Sequence, residues 1–84
     1  MEIKVLGSGC PNCKRLEKVT HQVVAEMAVE ATITKVTDWD GIMAYDIVST
    51  PGLVINEKVV SSGRIPSKAE LTTWVANALA AEKA

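Results

Sequence analysis

The stretch LGSGCPNCKRLEKV (residues 6–19) holds two glycines, both cysteines of the chain and the start of an amphipathic run. Just before the glycines, the β-branched segment EIKVL (residues 2–6) has the composition of a strand, and the glycines predict a loop after it. Pro11 suits the first turn of a helix, where its missing N–H group loses no hydrogen bond. The sequence therefore predicts a strand, a tight loop and a helix that begins at the two cysteines.

The elements that follow are read from their apolar patterns. The first helix has an apolar stripe at steps of three and four residues, formed by Cys13, Leu16, Val19, Val23 and Met27. The segment ATITKVT (residues 31–37) alternates and is rich in threonine and valine, which favours a second strand. Asp38 is a suitable N-cap for a short helix that carries Trp39, Ile42 and Met43.

The last third of the chain predicts a hairpin and a helix. LVI (residues 53–55) and KVVS (residues 58–61) are separated by the two residues Asn-Glu, a spacing typical of a tight turn. SKAE (residues 67–70) matches a capping box, in which a serine N-cap is followed three residues later by glutamate. The helix continues with an apolar stripe formed by Leu71, Trp74, Val75, Ala78 and Leu79.

The element order β-α-β-α-β-β-α sets the expected fold class. Two strands joined by a helix form a parallel pair through a right-handed crossover, and the hairpin adds antiparallel strands. We expect an α/β fold with a four-stranded mixed sheet flanked by three helices, in a single domain that spans residues 1–84.

Composition and charge limit the possible partners and compartment. The chain has 84 residues, 48% of them apolar, so it can bury a core as a monomer. The net charge of −1, without a long basic run, argues against a nucleic acid or an anionic membrane as partner. The sequence starts without a secretory signal and has no run of about 18 apolar residues, so we expect a soluble cytoplasmic protein. In a reducing compartment, a lone cysteine pair is catalytic or metal-binding rather than structural.

The two cysteines are chemically unequal. Cys10 and Cys13 are three apart on one helix face, so their sulfurs can form a disulfide. Cys10 lies at the helix mouth, where free N–H groups and the positive end of the dipole favour a thiolate. Lys14, Arg15 and Lys18 add positive charge in a supporting role. We therefore expect Cys10 to attack a substrate disulfide and Cys13 to release the mixed disulfide.

Two features have alternative interpretations from the residues alone. Gly7 and Gly9 either let a partner's backbone approach Cys10 or only make a tight turn. The cysteine spacing also supplies two ligands to zinc or copper(I), so the alternative function is a carrier or sensor of a soft metal or metalloid on Cys10 and Cys13. Copper-carrying C-x-x-C domains have a β-α-β-β-α-β order and a methionine shortly before the first cysteine. This chain has neither feature, which favours redox chemistry.

A second motif points to a family. In STPGLVI (residues 49–55), Thr-Pro stands directly before a strand, and with this element order the chain resembles the thioredoxin superfamily. GSGCPNC, Tyr-x-x-x-x-Thr-Pro and GRIPS after the hairpin resemble the small thioredoxin-like redox-active disulfide proteins. The resemblance implies that Cys10 is the nucleophile, Cys13 the resolving thiol and Pro51 a cis-proline beside them, with Thr50 offering backbone groups to an extended substrate. It implies a thioredoxin- or glutaredoxin-like reductase of protein disulfides that needs a separate reductase as electron donor, with no cofactor and no metal.

The chain departs from the family pattern at three places. Thioredoxins usually have tryptophan before the first cysteine and Gly-Pro between the two, where this chain has Gly9 and then Pro11 and Asn12. Many thioredoxins carry a buried carboxylate six residues before the first cysteine, a position that falls on Lys4 here. Glutaredoxins commonly have an aromatic residue at the place of Asn12. The sequence alone therefore does not identify an acid–base partner for Cys13.

Overall fold

The computed structural model describes residues 1–47 and 49–83, without the side chain of Lys83. Over these residues the chain forms four strands and three helices, in the predicted order. The strands are β1 (Glu2–Leu6), β2 (Thr32–Val36), β3 (Gly52–Ile55) and β4 (Lys58–Ser62). The helices are α1 (Pro11–Glu26), α2 (Trp39–Met43) and α3 (Lys68–Lys83). The predicted mixed sheet with flanking helices is confirmed: the first strand has the predicted bounds, and the ends of the other three differ from the prediction by at most one residue.

The sheet has the strand order β2-β1-β3-β4. β1 and β2 are parallel, with Val5 opposite Lys35, and α1 makes the crossover between them. β3 runs antiparallel to both β1 and β4. The carboxyl ends of β1, β2 and β4 therefore lie at the same end of the sheet as the amino end of β3. We call this end the cysteine edge; it carries residues 7–10, 37–38, 49–51 and 63–66.

The two faces of the sheet bury different residues, because successive side chains along a strand point to opposite sides. Ile3 and Val5 face α1 and α3, and Leu6 faces α2. The cluster on the α1/α3 face contains Ile3, Val5, Leu16, Val23, Leu53, Ile55, Leu71 and Val75. The cluster on the α2 face contains Leu6, Ile42, Ile47 and Val54. β3 is buried along its whole length because both faces are covered.

The predicted turn and caps are formed. Asn56 and Glu57 have φ angles of 49° and 69°, as a two-residue hairpin turn of type I′ requires. The Ser67 hydroxyl accepts the Glu70 N–H at 3.1 Å, and the Glu70 carboxylate accepts the Ser67 N–H at 3.1 Å, which completes the capping box. Asp38 caps α2 by accepting the Gly41 N–H at 2.7 Å.

Helix α1 buries one residue outside the predicted apolar stripe. Cys13, Leu16 and Val23 are buried as expected, and Thr20 is buried with them. The Thr20 hydroxyl donates to the Leu16 carbonyl at 2.7 Å, so this polar group is satisfied inside the helix. Within the described ranges, no helix combines the length and the apolar character needed to cross a bilayer.

Candidate functional site

The two cysteines form the mouth of α1. Cys10 is the N-cap, with an extended backbone (φ −65°, ψ 160°), and Pro11 occupies the first helical turn. The Cys10 Sγ accepts the Cys13 N–H at 3.1 Å, so it takes the position that a serine or aspartate oxygen holds at other helix starts. The sulfurs of Cys10 and Cys13 are joined in a disulfide, with 5.0 Å between the Cα atoms. The structure thus brings together the two residues that the sequence singles out.

The two sulfurs differ in access and in local charge. Cys13 is 5% exposed, whereas Cys10 is only partly buried. The first turn of α1 holds no acidic residue, and Lys14 and Arg15 are exposed on it. A partner molecule therefore meets Cys10 first, at the positive end of the helix.

Gly7 packs against the Cys13 side chain. A Cβ atom at Gly7 would overlap the Cys13 Sγ and lie 3.1 Å from the Cys13 Cβ. Gly9 has open space around it and a φ of +90°, a backbone conformation that favours glycine. It therefore fits the interpretation of this glycine as a turn residue. Of these two glycines, Gly7 serves a contact within the chain, a role that neither interpretation of the sequence includes.

Thr50 and Pro51 lie at the same edge. The peptide bond between them is cis, with Thr50 exposed and Pro51 buried. The Cβ atom of Thr50 is 3.9 Å from the position that a Cβ would take at Gly7, which places Thr50 and Cys13 on the same side of Gly7. The Gly63 N–H donates to the Pro51 carbonyl at 2.9 Å and so ties the end of β4 to this loop.

Lys4 lies on the face of the sheet opposite to α1. Its ammonium group donates to the Tyr45 hydroxyl and to the Glu57 carboxylate, each at 2.7 Å. The hydrogen bond to Glu57, and to a lesser extent the one to Tyr45, raises the pKa of Lys4 above its usual range. The bond between Lys4 and Glu57 also lowers the pKa of Glu57. Lys4 is therefore a cation held on the α2 face, opposite to the face that α1 covers.

Two further residues lie near the site. Trp39, which the sequence predicts on a short helix, is 70% exposed at the start of α2, next to the cysteine edge. Glu17, which the sequence analysis does not single out, lies one turn after Cys13 on α1 and forms an ion pair with Lys35 of β2 at 3.5 Å. The spacing from Cys13 to Glu17 could have pointed to this carboxylate, but the position of Lys35 depends on the register of β1 and β2.

A structural zinc site would need more donors than two sulfurs, because structural zinc takes four ligands. In the part of the chain that the structure describes, no three His, Cys, Asp or Glu side chains come together as a ligand set. The arrangement is that of a dithiol/disulfide pair with one accessible member.

The comparisons with known proteins agree with this geometry. A family model described as a thioredoxin domain matches residues 1–76. A thioredoxin of Methanothermobacter thermautotrophicus is 34% identical over 71 residues, which cover 84% of this chain and 92% of that protein. A thioredoxin of Methanocaldococcus jannaschii is 36% identical over 69 residues, which cover 82% of this chain and 79% of that protein. The structure of thioredoxin 1 from Thermosipho africanus aligns over the full length of both chains with a TM-score of 0.63, and its 16% identity shows the fold alone.

A mixed sheet whose first helix begins with a C-x-x-C disulfide, with a Thr-Pro loop at the same edge, defines a class of thiol–disulfide oxidoreductases. The chain belongs to the thioredoxin family. The matches do not support the glutaredoxin part of the expected activity, and they give no support to the alternative of a soft-metal carrier.

Proposed function

We propose that the chain reduces protein disulfides, with Cys10 as the attacking thiolate and Cys13 as the resolving thiol. The observation that carries this proposal is the inequality of the pair: Cys10 is the partly exposed N-cap of α1, whereas Cys13 is 5% exposed one turn inside the helix. A substrate disulfide can reach the first sulfur and not the second.

The helix start favours the ionised form of Cys10. In the dithiol form, the Cys13 N–H that now bonds the Cys10 Sγ at 3.1 Å is available to a thiolate in the same place. Free N–H groups and the helix dipole stabilise an anion there, and no carboxylate in the first turn opposes it. Cys10 is therefore a nucleophile near neutral pH, when an ordinary thiol is mostly protonated.

The reaction proceeds in two exchange steps. The Cys10 thiolate attacks one sulfur of the substrate disulfide, a mixed disulfide forms, and the other substrate sulfur leaves as a thiolate. The Cys13 thiolate then attacks the Cys10 Sγ, the bond to the substrate sulfur breaks, and that sulfur leaves with the electron pair. The substrate has gained two electrons, and the chain is left with the Cys10–Cys13 disulfide. A separate reductase must return two electrons to this disulfide before another turnover.

The substrate chain docks beside the Thr-Pro loop. Thr50 is exposed and lies on the same side of Gly7 as Cys13, and the buried Pro51 next to it is held by the bond from Gly63. We assign to the backbone of Thr50 the pairing with an extended segment of the substrate, in the manner of an added strand. This docking orients the substrate disulfide toward Cys10.

Mixed-disulfide trapping tests the roles of the two cysteines. In Cys13→Ser the first exchange can proceed but the second cannot, so a partner protein should accumulate in a disulfide with Cys10. Cys10→Ser is the matched control, and it should trap no partner and should lose disulfide-reductase activity. Trapping by Cys10→Ser, or activity retained in that variant, would show that the roles are reversed or that the reaction does not use this pair.

A further inference from the structure

A small pocket leads to Cys13 from the side of α1 that faces β2. Its volume is about 70 Å³, well above the roughly 10–15 Å³ that one water molecule needs by this measure. Cys13 and Gly7 line it, together with the charged residues Lys14, Glu17 and Lys35. The residue whose thiol the proposed mechanism must deprotonate thus shares a small pocket with a glutamate.

Glu17 is placed in this pocket by two elements. It follows Cys13 by four residues, so the two side chains lie on one face of α1. Lys35 pairs with Val5 in the sheet register, and its side chain therefore points to the same face of the sheet as α1. The Lys35 ammonium lies 3.5 Å from the Glu17 carboxylate, and His21 lies 4.0 Å from it on the next turn. Glu17 is 26% exposed, so the carboxylate is partly shielded.

We propose that Glu17 is the proton acceptor for Cys13 in the resolving step, through water in this pocket. The inference rests on the proposed roles of the two cysteines. The Cys13 thiol gives its proton through the water to the Glu17 carboxylate, and the resulting thiolate attacks the Cys10 Sγ. When the reductase later breaks the disulfide at Cys10, Cys13 leaves as a thiolate and the Glu17 carboxyl returns the proton. Lys35 is a positioning residue that keeps the carboxylate in the pocket.

A carboxylate that only sat near Cys13 would have the opposite effect. Its negative charge would disfavour a neighbouring thiolate, so its removal would make Cys13 ionise more readily and resolve faster. A proton acceptor, in contrast, speeds the step, and its removal slows it. The charged residues that line the pocket are Lys14 and Glu17 from α1 and Lys35 from β2, and His21 lies beside Glu17 on the next turn. Replacement of Glu17 alone leaves Lys14, His21 and Lys35 in place, so the sign of the rate change separates the two roles.

Stopped-flow reaction of the reduced protein with dithionitrobenzoate measures both steps. This small aromatic disulfide releases one coloured thiolate when Cys10 attacks and a second when Cys13 resolves, and only the first phase depends on reagent concentration. Glu17→Gln should keep the first phase and slow the second at least about tenfold near pH 6, below the roughly 10²–10⁴ of a directly bonded base because water carries the proton. The difference should shrink above about pH 9, where an ordinary thiol ionises without help.

Glu26→Gln is the matched control. Glu26 is an exposed glutamate on the same helix that pairs with Lys68 away from the pocket, so both phases should be unchanged. An unchanged or faster second phase in Glu17→Gln, or a slowing that is equal at all pH values, would overturn the role of Glu17. A failure of the proposed cysteine roles is a different result, because Cys13→Ser would then lose the rapid first phase and Cys10→Ser would keep it. A first phase with the rate of the parent shows that the surroundings of Cys10 are unchanged in Glu17→Gln.

Discussion

At the scale of single residues, the space around Cys13 is set by Gly7. The Cys13 sulfur packs directly on Gly7, and the Thr50 side chain lies next to it on the same side of that glycine. The connection from β1 to α1 is therefore held in place by contact between the backbone of Gly7 and the sulfur of Cys13. A side chain at Gly7 would separate the cysteine pair from the loop that we assign to substrate docking.

Gly7→Ala should weaken the disulfide form and the fold together. The added methyl group overlaps the Cys13 Sγ, which ring closure fixes in the disulfide but which can rotate away in the dithiol. We expect an overpacking cost of about 1–3 kcal/mol in the free energy of unfolding of the oxidised protein. The thiol–disulfide equilibrium in a dithiothreitol buffer should shift toward the dithiol. Gly9→Ala is the control: its φ of +90° makes alanine strained, but with open space around it the equilibrium of the pair should not move.

The sequence predicts the reacting residues of the site but not their surroundings. Cys10, Cys13 and the Thr-Pro pair are found because each depends on a short local motif. Glu17 is not singled out, because its ion pair depends on the position of Lys35 in β2. The role of Gly7 depends on a contact between the residue that follows β1 and the second cysteine, six positions further on.

At the scale of elements, the start of α3 is held by a network around Glu70. Besides its capping bonds to Ser67, the Glu70 carboxylate accepts two hydrogen bonds from Arg64, at 3.1 and 2.8 Å. The hydrogen bonds from Arg64 are the main cause, and the backbone N–H of Ser67 the second, of a pKa of Glu70 that is lowered to about 2. The capping box, a local signal, is predictable, whereas the contribution of Arg64 depends on the path of the loop that precedes α3.

The Glu70 network should make stability depend on acid. A carboxyl group whose pKa is lower in the folded state stabilises the fold above its unfolded pKa, near 4.5, and loses that contribution as the pH falls toward 2. Urea unfolding should therefore show that Glu70→Gln is less stable than the parent at pH 7 and that the difference fades near pH 2. Ser67→Ala is the control, because it removes the cap hydroxyl, at about 0.5–2 kcal/mol, and leaves the Arg64 pair. A Glu70→Gln deficit that is the same at both pH values would contradict this assignment.

The hairpin turn shows how a weak local signal can be reinforced. Asn-Glu is a poorer turn sequence than Asn-Gly, since both residues need positive φ. The Asn56 side chain accepts the Glu2 N–H at 2.9 Å, and Glu57 bonds Lys4. Contacts with β1 therefore stabilise a turn that the dipeptide itself favours only weakly.

At the scale of the whole molecule, the two sides of the sheet are unequal. The α1/α3 face carries two helices of 16 residues each on the larger cluster, whereas the α2 face carries a helix of five residues on the smaller one. The sequence predicts this layout because the long apolar stripes and the short one are visible in it. The face of the sheet that each apolar stripe covers depends on the handedness of the crossover, so it is harder to predict from the sequence than the stripes themselves.

Native-state hydrogen exchange should reflect this inequality. The amides of α2 should exchange through local opening well before those of β1 and β3, because Ile42 is the residue of α2 that is anchored in the core. The amides of α1 near Leu16 should exchange only with global unfolding. If α2 is protected as strongly as β1, the smaller cluster stabilises more than its size indicates.

The far end of the sheet has a practical consequence. Met1 precedes β1 there, and its amino group lies 3.9 Å from the Glu82 carboxylate of α3. Five residues of strand, or about 16 Å, separate this point from the loop that leads to Cys10. A bead, an electrode or a fused reporter joined at residue 1 would therefore leave the reactive sulfur facing the solution, so the protein is suited to oriented immobilisation.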